Sequence, residues 1–152
     1  MAYYCSQSLY QAEDRIVAGN WGRVVLGIGP THGRFFCEYL FEKVRALEFP
    51  NRPSRMEAAF AFESADFATN WRRGNAPEYV YAVHLADPNS LVHRGDMSWT
   101  DLIYRYRTFQ GMEECARRYW RGEVRDQNQI ELVVAGDLIV ETRLTRIGED
   151  GT

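Results

Sequence analysis

Long apolar segments are absent from this 152-residue sequence. No apolar run approaches the ~18 residues that a membrane-spanning helix needs. The N-terminal segment MAYYCSQSLYQAEDRI also lacks the basic and then apolar regions of a secretory signal peptide. We therefore expect a cytoplasmic protein that has no membrane partner.

Cysteine and histidine are also scarce. The three cysteines are widely spaced and form no CxxC pair, and the three histidines form no HExxH motif. An odd number of distant cysteines argues against a disulfide framework and favours a reducing compartment. We therefore expect no metal site.

Lysine is nearly missing, because Lys43 is the only lysine among 18 basic residues. The net charge of −3 and the pI near 5.6 exclude a global basic field that would attract nucleic acid. Arginine suits bidentate contacts with phosphate and carboxylate groups. A GC-rich genome produces the same bias, so two explanations of the arginine content stay open.

The length and composition indicate one globular domain. Apolar residues make up 45% of the chain and charged residues 26%, which is typical of a folded protein. A polar segment at residues 148–152 is tail-like. The sequence therefore predicts a single domain over residues 1–147 and a C-terminal tail.

Hydrophobic periodicity predicts strands that alternate with helices. The best helix is predicted over Gly33–Phe49, with Phe36, Leu40, Val44 and Leu47 on its apolar face. Further strands are predicted at Ala2–Ser6, Ala58–Phe62 and Tyr79–Leu85, and further helices at Ala65–Arg73, Ser98–Phe109 and Met112–Arg121. Ala135-Gly136-Asp137 predicts the turn of a closing hairpin between Ile130–Val134 and Leu138–Leu144. This order predicts an α+β domain.

Several short motifs occur in a notable order. Tyr3-Tyr4-Cys5-Ser6 on the first strand is followed by Glu13-Asp14-Arg15-Ile16 at a turn. AFAFES then leads into the helix ADFATNW, and YVYAV leads into a loop that ends at Asp96. Gln129-Ile130-Glu131 begins a late strand.

This order resembles the ADP-ribosyltransferase superfamily, in particular small bacterial members such as the rifampin ADP-ribosyltransferases. In that family the first strand carries a Tyr-His-Gly-Thr-like segment, a Gly-Asp-hydrophobic turn follows, and some branches place Gln-x-Glu on a late strand. The resemblance covers Ala2 to Leu144. It implies a split β-sheet core with flanking helices. PSR-x-x-x-x-F-x-F at residues 53–62 also resembles an uncharacterised bacterial family without an assigned activity.

The resemblance implies a site for NAD as a substrate. Aromatic rings would stack on nicotinamide, hydroxyls would contact the ribose, and a guanidinium would contact the pyrophosphate. The matching positions include both Tyr4, the place of the family histidine, and Cys5, the place of the glycine. The expected NAD-binding residues are Tyr4, Cys5, Ser6, Ser54, Arg55, Phe60 and Phe62.

A carboxylate near the ribose would stabilise the positive charge that develops when the bond to nicotinamide breaks. Glu131 is the first candidate for this catalytic role, and Asp96 is the second. Each has an alternative structural interpretation, Glu131 as a solvated strand residue and Asp96 as a turn residue. Phe60 and Phe62 can equally be core residues.

Two further interpretations stay open. The family histidine is replaced by Tyr4, and the usual tyrosine of the aromatic strand is replaced by Phe60, Ala61 or Phe62, which favours a catalytically inactive binding module for a protein or nucleic-acid partner. Arginines at positions 72, 73, 105, 107, 117, 118 and 121 favour an RNA-directed enzyme of the same superfold. The sequence does not identify the ADP-ribose acceptor, which can be a protein, a nucleic acid or a small molecule.

Overall fold

The computed structural model describes residues 1–75 and 79–144, without the side chains of residues 72–75. The tail predicted at 148–152 and the side chains of Arg72 and Arg73 lie outside this description. Within it, most predicted strands and helices are present, but Asn20–Ile28 was not predicted to be a helix, and Val92–Asp96, predicted as a loop, is a strand. The strands are β1 Ala2–Ser6, β2 Arg15–Ile16, β3 Ala59–Phe62, β4 Tyr79–Leu85, β5 Val92–Asp96, β6 Ile130–Val134 and β7 Leu138–Arg143. The helices are α1 Asn20–Ile28, α2 Phe35–Glu48, α3 Ala65–Asn75, α4 Ser98–Leu102 and α5 Phe109–Trp120.

The seven strands form one antiparallel sheet in the order β2-β7-β4-β1-β3-β6-β5. The joint between β1 and β3 is weak, since Tyr3 and Phe62 form its single residue pair. By contrast, β1 pairs with β4 along its whole length, from Ala2 to Ser6. We call β2-β7-β4-β1 the four-strand half and β3-β6-β5 the three-strand half.

The hairpin predicted at the C-terminus is wrong. Strands β6 and β7 exist, but β6 pairs with β3 and β5, whereas β7 pairs with β2 and β4. Between them, the Ala135 amide donates to Leu91, and the Asp137 carbonyl accepts from Ala86. The connection therefore carries the chain from the three-strand half to the four-strand half. Alternation of apolar residues identifies a strand but does not identify its neighbour in the sheet.

The long helix α2 lies where the sequence predicts it, but its buried face is rotated from the expected one. Leu40 and Val44 are buried as predicted, whereas Phe36 and Leu47 are exposed. Cys37, Glu38 and Phe41 are buried in their place.

The predicted helix over Ser98–Phe109 is interrupted. It continues after α4 only as a 3₁₀ turn at Ile103–Arg105, and Tyr106 then has an extended backbone. Thr108 caps the next helix, α5, because its Oγ1 accepts a hydrogen bond from the Gly111 amide at 3.0 Å.

Three apolar clusters hold the layers together. The first joins α2, α4 and α5 to β6 and includes Phe41, Trp99, Tyr119 and Val133. The second lies between the sheet halves, where Ala59, Ala61 and Val134 meet Tyr81, Val83 and Leu138. The third packs Ala68 of α3 against Phe62 and Val80. Among the helices described, none is long and apolar enough to cross a membrane.

Helix α1 packs directly on backbone at Gly22. A Cβ atom added to Gly22 would lie 1.9 Å from the carbonyl oxygen of Met56, whereas one added to Gly27 meets no atom within 4 Å. We expect Gly22→Ala to lower the free energy of unfolding by roughly 1–3 kcal/mol, because α1 must move away. Urea unfolding measures this difference. Gly27→Ala on the same helix is the control and should leave stability unchanged or raise it by up to about 1 kcal/mol; equal effects would contradict the close packing.

His93 on β5 is buried in the first cluster. Its ring centroid lies 4.9 Å from that of Trp120, and its Nε2 lies 3.0 Å from the carbonyl oxygen of Tyr119. The pKa of His93 is lowered to about 4, mainly because the ring is buried. The hydrogen bond to Tyr119 opposes this shift, whereas the nearby charges of Arg52 and Arg55 add to it. The folded protein therefore holds this imidazole neutral, with Nε2–H donating to the carbonyl.

This shift predicts acid sensitivity between pH 6.5 and about 4. In that range unfolded His93 binds a proton and folded His93 does not, so the free energy of unfolding falls as the pH falls, by at most about 3 kcal/mol. Unfolding titrations should give a flatter pH profile for His93→Gln than for the wild type. His84→Gln, which removes an exposed imidazole by the same substitution, is the control. Parallel profiles for the wild type and His93→Gln would refute the assignment.

Candidate functional site

A cavity of about 270 Å³ lies at the weak joint between the two sheet halves. Its walls include β1, β3, β6, α1 and the connection between α2 and β3. Six of the nine residues predicted for the site line it: Tyr4, Cys5, Arg55, Phe60, Phe62 and Glu131. The fold therefore brings together residues that are up to 127 positions apart in the chain.

The two serines are not among the lining residues. The Ser6 hydroxyl accepts a hydrogen bond from the Ser8 amide at 3.0 Å. The Ser54 hydroxyl donates to Glu42 at 3.0 Å and accepts from the Met56 amide at 3.2 Å. Ser6 thus stabilises a local turn and also hydrogen-bonds the side chain of Tyr4, and Ser54 joins its turn to α2. The expected hydroxyl contacts to a ribose do not follow from these positions.

Asp96 also lies outside the cavity lining. Its buried carboxylate accepts hydrogen bonds from the backbone amides of Ser98 at 2.8 Å, Arg125 at 2.6 Å and Asp126 at 2.7 Å. The side chain thus fixes the loop that precedes β6 against the end of β5. The structure therefore does not bring Asp96 into the cavity with Glu131, and backbone groups of the protein occupy its carboxylate.

Arg55 is buried, and its guanidinium is bonded by protein groups. Nε lies 2.9 Å from Oε2 of Glu38, and Nη2 lies 3.0 Å from Oε1 of the same residue. Nη1 contacts Oε1 of Glu131 and donates to the hydroxyl of Tyr119 at 2.6 Å. Arg55 therefore holds two carboxylates in place, whereas the sequence suggested a contact with pyrophosphate.

The electrostatics of this group follow from its burial. Desolvation by itself lowers the pKa of Arg55, but the carboxylates of Glu131 and Glu38 raise it well above its usual value. Burial raises the pKa of Tyr119 strongly, and the Glu131 charge adds to this effect, while Arg55 opposes it. Tyr119 is therefore protonated and donates to Oε1 of Glu131 at 2.6 Å. One guanidinium and two carboxylates carry a formal charge of −1.

Aromatic rings form much of the remaining wall. The Phe60 ring centroid lies 4.9 Å from the Arg55 guanidinium carbon. Trp21 lines the same space and donates its indole N–H to Glu38 at 2.9 Å. Burial, together with the nearby Tyr10, raises the pKa of Tyr4 to about 12, so its hydroxyl is protonated. The cavity therefore offers flat apolar faces beside a buried negative charge.

Sequence reasoning missed Glu38, Trp21 and Tyr119 as parts of this site. Glu38 follows Cys37 and lies one helical turn before Phe41, so a correctly placed helix face would have identified a buried acid. Trp21 gave no such signal, because the sequence pattern predicted no helix over Asn20–Ile28, where α1 lies. Tyr119 is buried on α5, and its hydroxyl bond to Glu131 depends on tertiary contacts.

Metal-ligating side chains are dispersed in the part of the chain that the structure describes. Within residues 1–75 and 79–144, no three His, Cys, Asp or Glu residues are grouped so that they could hold a metal ion.

One family model matches nearly the whole chain. It covers residues 7–146 and carries the description "Protein of unknown function (DUF2441)". None of the curated proteins matches the sequence. The match includes every strand and helix described after β1 and every lining residue named above except Tyr4 and Cys5. The chain belongs to the DUF2441 family of proteins of unknown function.

Proposed function

We propose that this chain is an NAD-dependent ADP-ribosyltransferase, which transfers ADP-ribose from NAD to an acceptor and releases nicotinamide. One observation carries the proposal. Tyr4, Phe60 and Glu131, which occupy family motif positions in the resemblance, come from the neighbouring strands β1, β3 and β6 and line the same cavity.

Two features of the backbone support the proposed ADP-ribosyltransferase-like core. The weak joint between β1 and β3 divides the sheet next to the cavity, as a split sheet requires. Glu13 has a φ of 71°, a left-handed conformation that favours glycine. The resemblance aligns Glu13 with the glycine of the Gly-Asp turn, so the local backbone agrees with that alignment.

The cavity suits a positively charged aromatic ring. The nicotinamide ring of NAD carries a positive charge, and rings such as Phe60 offer a stacking face. The formal charge of −1 on Glu38, Arg55 and Glu131 attracts that cation, and the charge of Arg34, which also lines the cavity, is paired with Asp101 at 2.7 Å. Because Glu38, Arg55 and Glu131 are buried, this attraction is screened less than it would be at the surface.

The same charge can assist bond cleavage. The bond between the ribose C1′ and the nicotinamide nitrogen breaks, and its electron pair neutralises the pyridinium. Positive charge develops on the ribose, and the Glu131 carboxylate stabilises it. The acceptor then forms a bond to C1′ and loses a proton. Arg55 and Tyr119 hold Oε1 of Glu131, so the carboxylate is oriented before the substrate arrives.

A specific observation also favours a second candidate, a catalytically inactive binding module. Glu131 is already paired with Arg55, and this contact weakens its electrostatic effect on a ribose. Tyr4 and Cys5 stand in place of the family histidine and glycine. In this alternative the cavity binds NAD or ADP-ribose without cleaving it.

Nicotinamide release from NAD tests the proposal. We expect Glu131→Gln, which keeps the shape of the side chain and removes its charge, to reduce the rate about a hundredfold. Phe60→Leu should mainly raise KM, because the stacking face is lost. The melting temperature of each variant shows whether it is folded. Phe60→Leu leaves the ion pairs of Arg55 with Glu38 and Glu131 in place, so it tests the site even if Glu131→Gln fails to fold.

Asp96→Asn is the matched carboxylate control. It weakens three hydrogen bonds to backbone amides, so we expect a lower melting temperature but wild-type nicotinamide release per folded molecule. Loss of release in Asp96→Asn, with Glu131→Gln active, would contradict the assignment of Glu131.

Ligand-induced stabilisation separates the two candidates. NAD or ADP-ribose should raise the melting temperature of the wild type, since a ligand that binds only the folded state stabilises it. Stabilisation without nicotinamide release, also in the presence of candidate acceptors, supports the binding module. If NAD and ADP-ribose do not raise the melting temperature and no nicotinamide is released, both candidates are overturned.

A further inference from the structure

An exposed segment beside the cavity alternates aromatic and basic side chains. It comprises residues 104–109, Tyr104-Arg105-Tyr106-Arg107-Thr108-Phe109, which we call the aromatic-arginine strip. The exposed fraction is 51% for Tyr104, 37% for Tyr106 and 74% for Phe109. Large apolar side chains are usually exposed singly, so three within six residues indicate a contact surface.

The strip has a positive charge that the protein does not neutralise. No Asp or Glu occurs between residues 102 and 112. Arg105 and Arg107 are exposed, and neither forms an ion pair within 4 Å with any residue of the described ranges. Two guanidinium groups are therefore available to an external anion.

The arginines of α5 differ from those of the strip. Arg117 lies 2.7 Å from Glu48, Arg118 lies 3.5 Å from Glu114, and Arg121 lies 3.2 Å from Glu114. These pairs neutralise the helix surface. The arginines of the sequence cluster whose side chains are described thus separate into a paired group, Arg117, Arg118 and Arg121 at the end of α5, and an unpaired group on the strip.

The strip has a defined shape before any partner binds. The Tyr106 ring packs on Gly111, where an added Cβ atom would lie 2.6 Å from a ring carbon. The cap from Thr108 fixes the start of α5, and the 3₁₀ turn Ile103–Arg105 fixes the other side. Little conformational entropy is therefore lost when the strip is ordered on a ligand.

Arg34 connects the strip to the cavity. Its guanidinium carbon lies 5.6 Å from the Tyr104 ring centroid, and its Nη1 lies 3.4 Å from the Thr100 carbonyl oxygen. Both Arg34 and Thr100 line the cavity. The Tyr104 hydroxyl also donates to the Gly33 carbonyl at 3.2 Å. The strip therefore begins at the rim of the candidate site.

We propose that the aromatic-arginine strip binds single-stranded nucleic acid and presents it to the cavity as the ADP-ribose acceptor. Phosphates pair with Arg105 and Arg107, and unstacked bases pack on the exposed rings. An acidic peptide would use the charges but would leave the three rings without stacking partners. A duplex hides its base faces, so it matches the strip less well than a single strand does.

The identity of the acceptor rests on the proposed function. In the transfer, a hydroxyl or a ring nitrogen of the bound strand forms the new bond to C1′ and loses its proton to solvent. The bond from C1′ to nicotinamide breaks with its electron pair. No oxidant, reductant or further co-reactant is needed.

Fluorescence anisotropy with a labelled single strand of about twelve nucleotides, as DNA and as RNA, tests the binding step. We expect Arg105→Gln/Arg107→Gln to weaken binding at least tenfold at low salt. The slope of log affinity against log salt should fall by about 1.4, because two phosphate contacts are lost at about 0.7 each. Phe109→Ala should weaken binding about tenfold and leave the slope unchanged.

Arg118→Gln/Arg121→Gln is the matched control, since it removes the same number of charges from the paired group. It should leave the affinity within about twofold of the wild type. Melting temperatures establish that all variants are folded. Three outcomes would each overturn the proposal. They are an equal loss of affinity in the two double variants, no oligonucleotide binding at low salt, and binding of an acidic peptide in place of the oligonucleotide.

Glu131→Gln separates this inference from the proposed activity. The variant should bind the oligonucleotide like the wild type and fail to transfer radiolabelled ADP-ribose to it. If the wild type binds the oligonucleotide but does not cleave NAD, the nucleic-acid site on the aromatic-arginine strip is supported and the transferase activity is rejected. Nicotinamide release by a wild type that binds no oligonucleotide would retain the transferase and reject the strip.

Discussion

The buried guanidinium of Arg55 is the group on which the site depends. It joins Glu38 of α2 to Glu131 of β6 and also contacts Tyr119 of α5. Removal of one partner from a buried ion pair costs about 3–5 kcal/mol, because a charge is left without compensation. Loss of Arg55 would leave two such charges. The helical layer and the three-strand half are therefore tied together at the wall of the cavity.

The position of the cavity follows from the sheet. Because β1 and β3 share a single residue pair, the two halves separate there, and aromatic side chains from both strands reach the space between them. Helices α1 and α2 supply Trp21 and Glu38 to the same wall. The residual formal charge of −1 and the flat rings make this space suitable for a cationic aromatic ligand, which is the physical basis of the proposed NAD site.

Much of the fold could be predicted from local patterns, but the pairing of strands could not. Alternation identified β4, and spacing identified α2, yet the hairpin of β6 and β7 was wrong because the two strands lie in different halves. In the same way, the apolar face of α2 was rotated from the expected one. Phe36 is exposed and Glu38 is buried, since Arg55 and Trp21 compensate the buried carboxylate.

By itself, the sequence determined the α+β class, the places of most elements, and Tyr4, Phe60 and Glu131 as residues of one site. Local periodicity indicates the class and the elements, because it depends on residues close together in the chain, and the three site residues follow from the resemblance in motif order. Only the tertiary structure decided the role of Arg55, the separation of Asp96 from the cavity, and the division of the arginines into paired and unpaired groups. Each of these depends on which side chains meet across the fold, and such contacts leave no local pattern in the sequence.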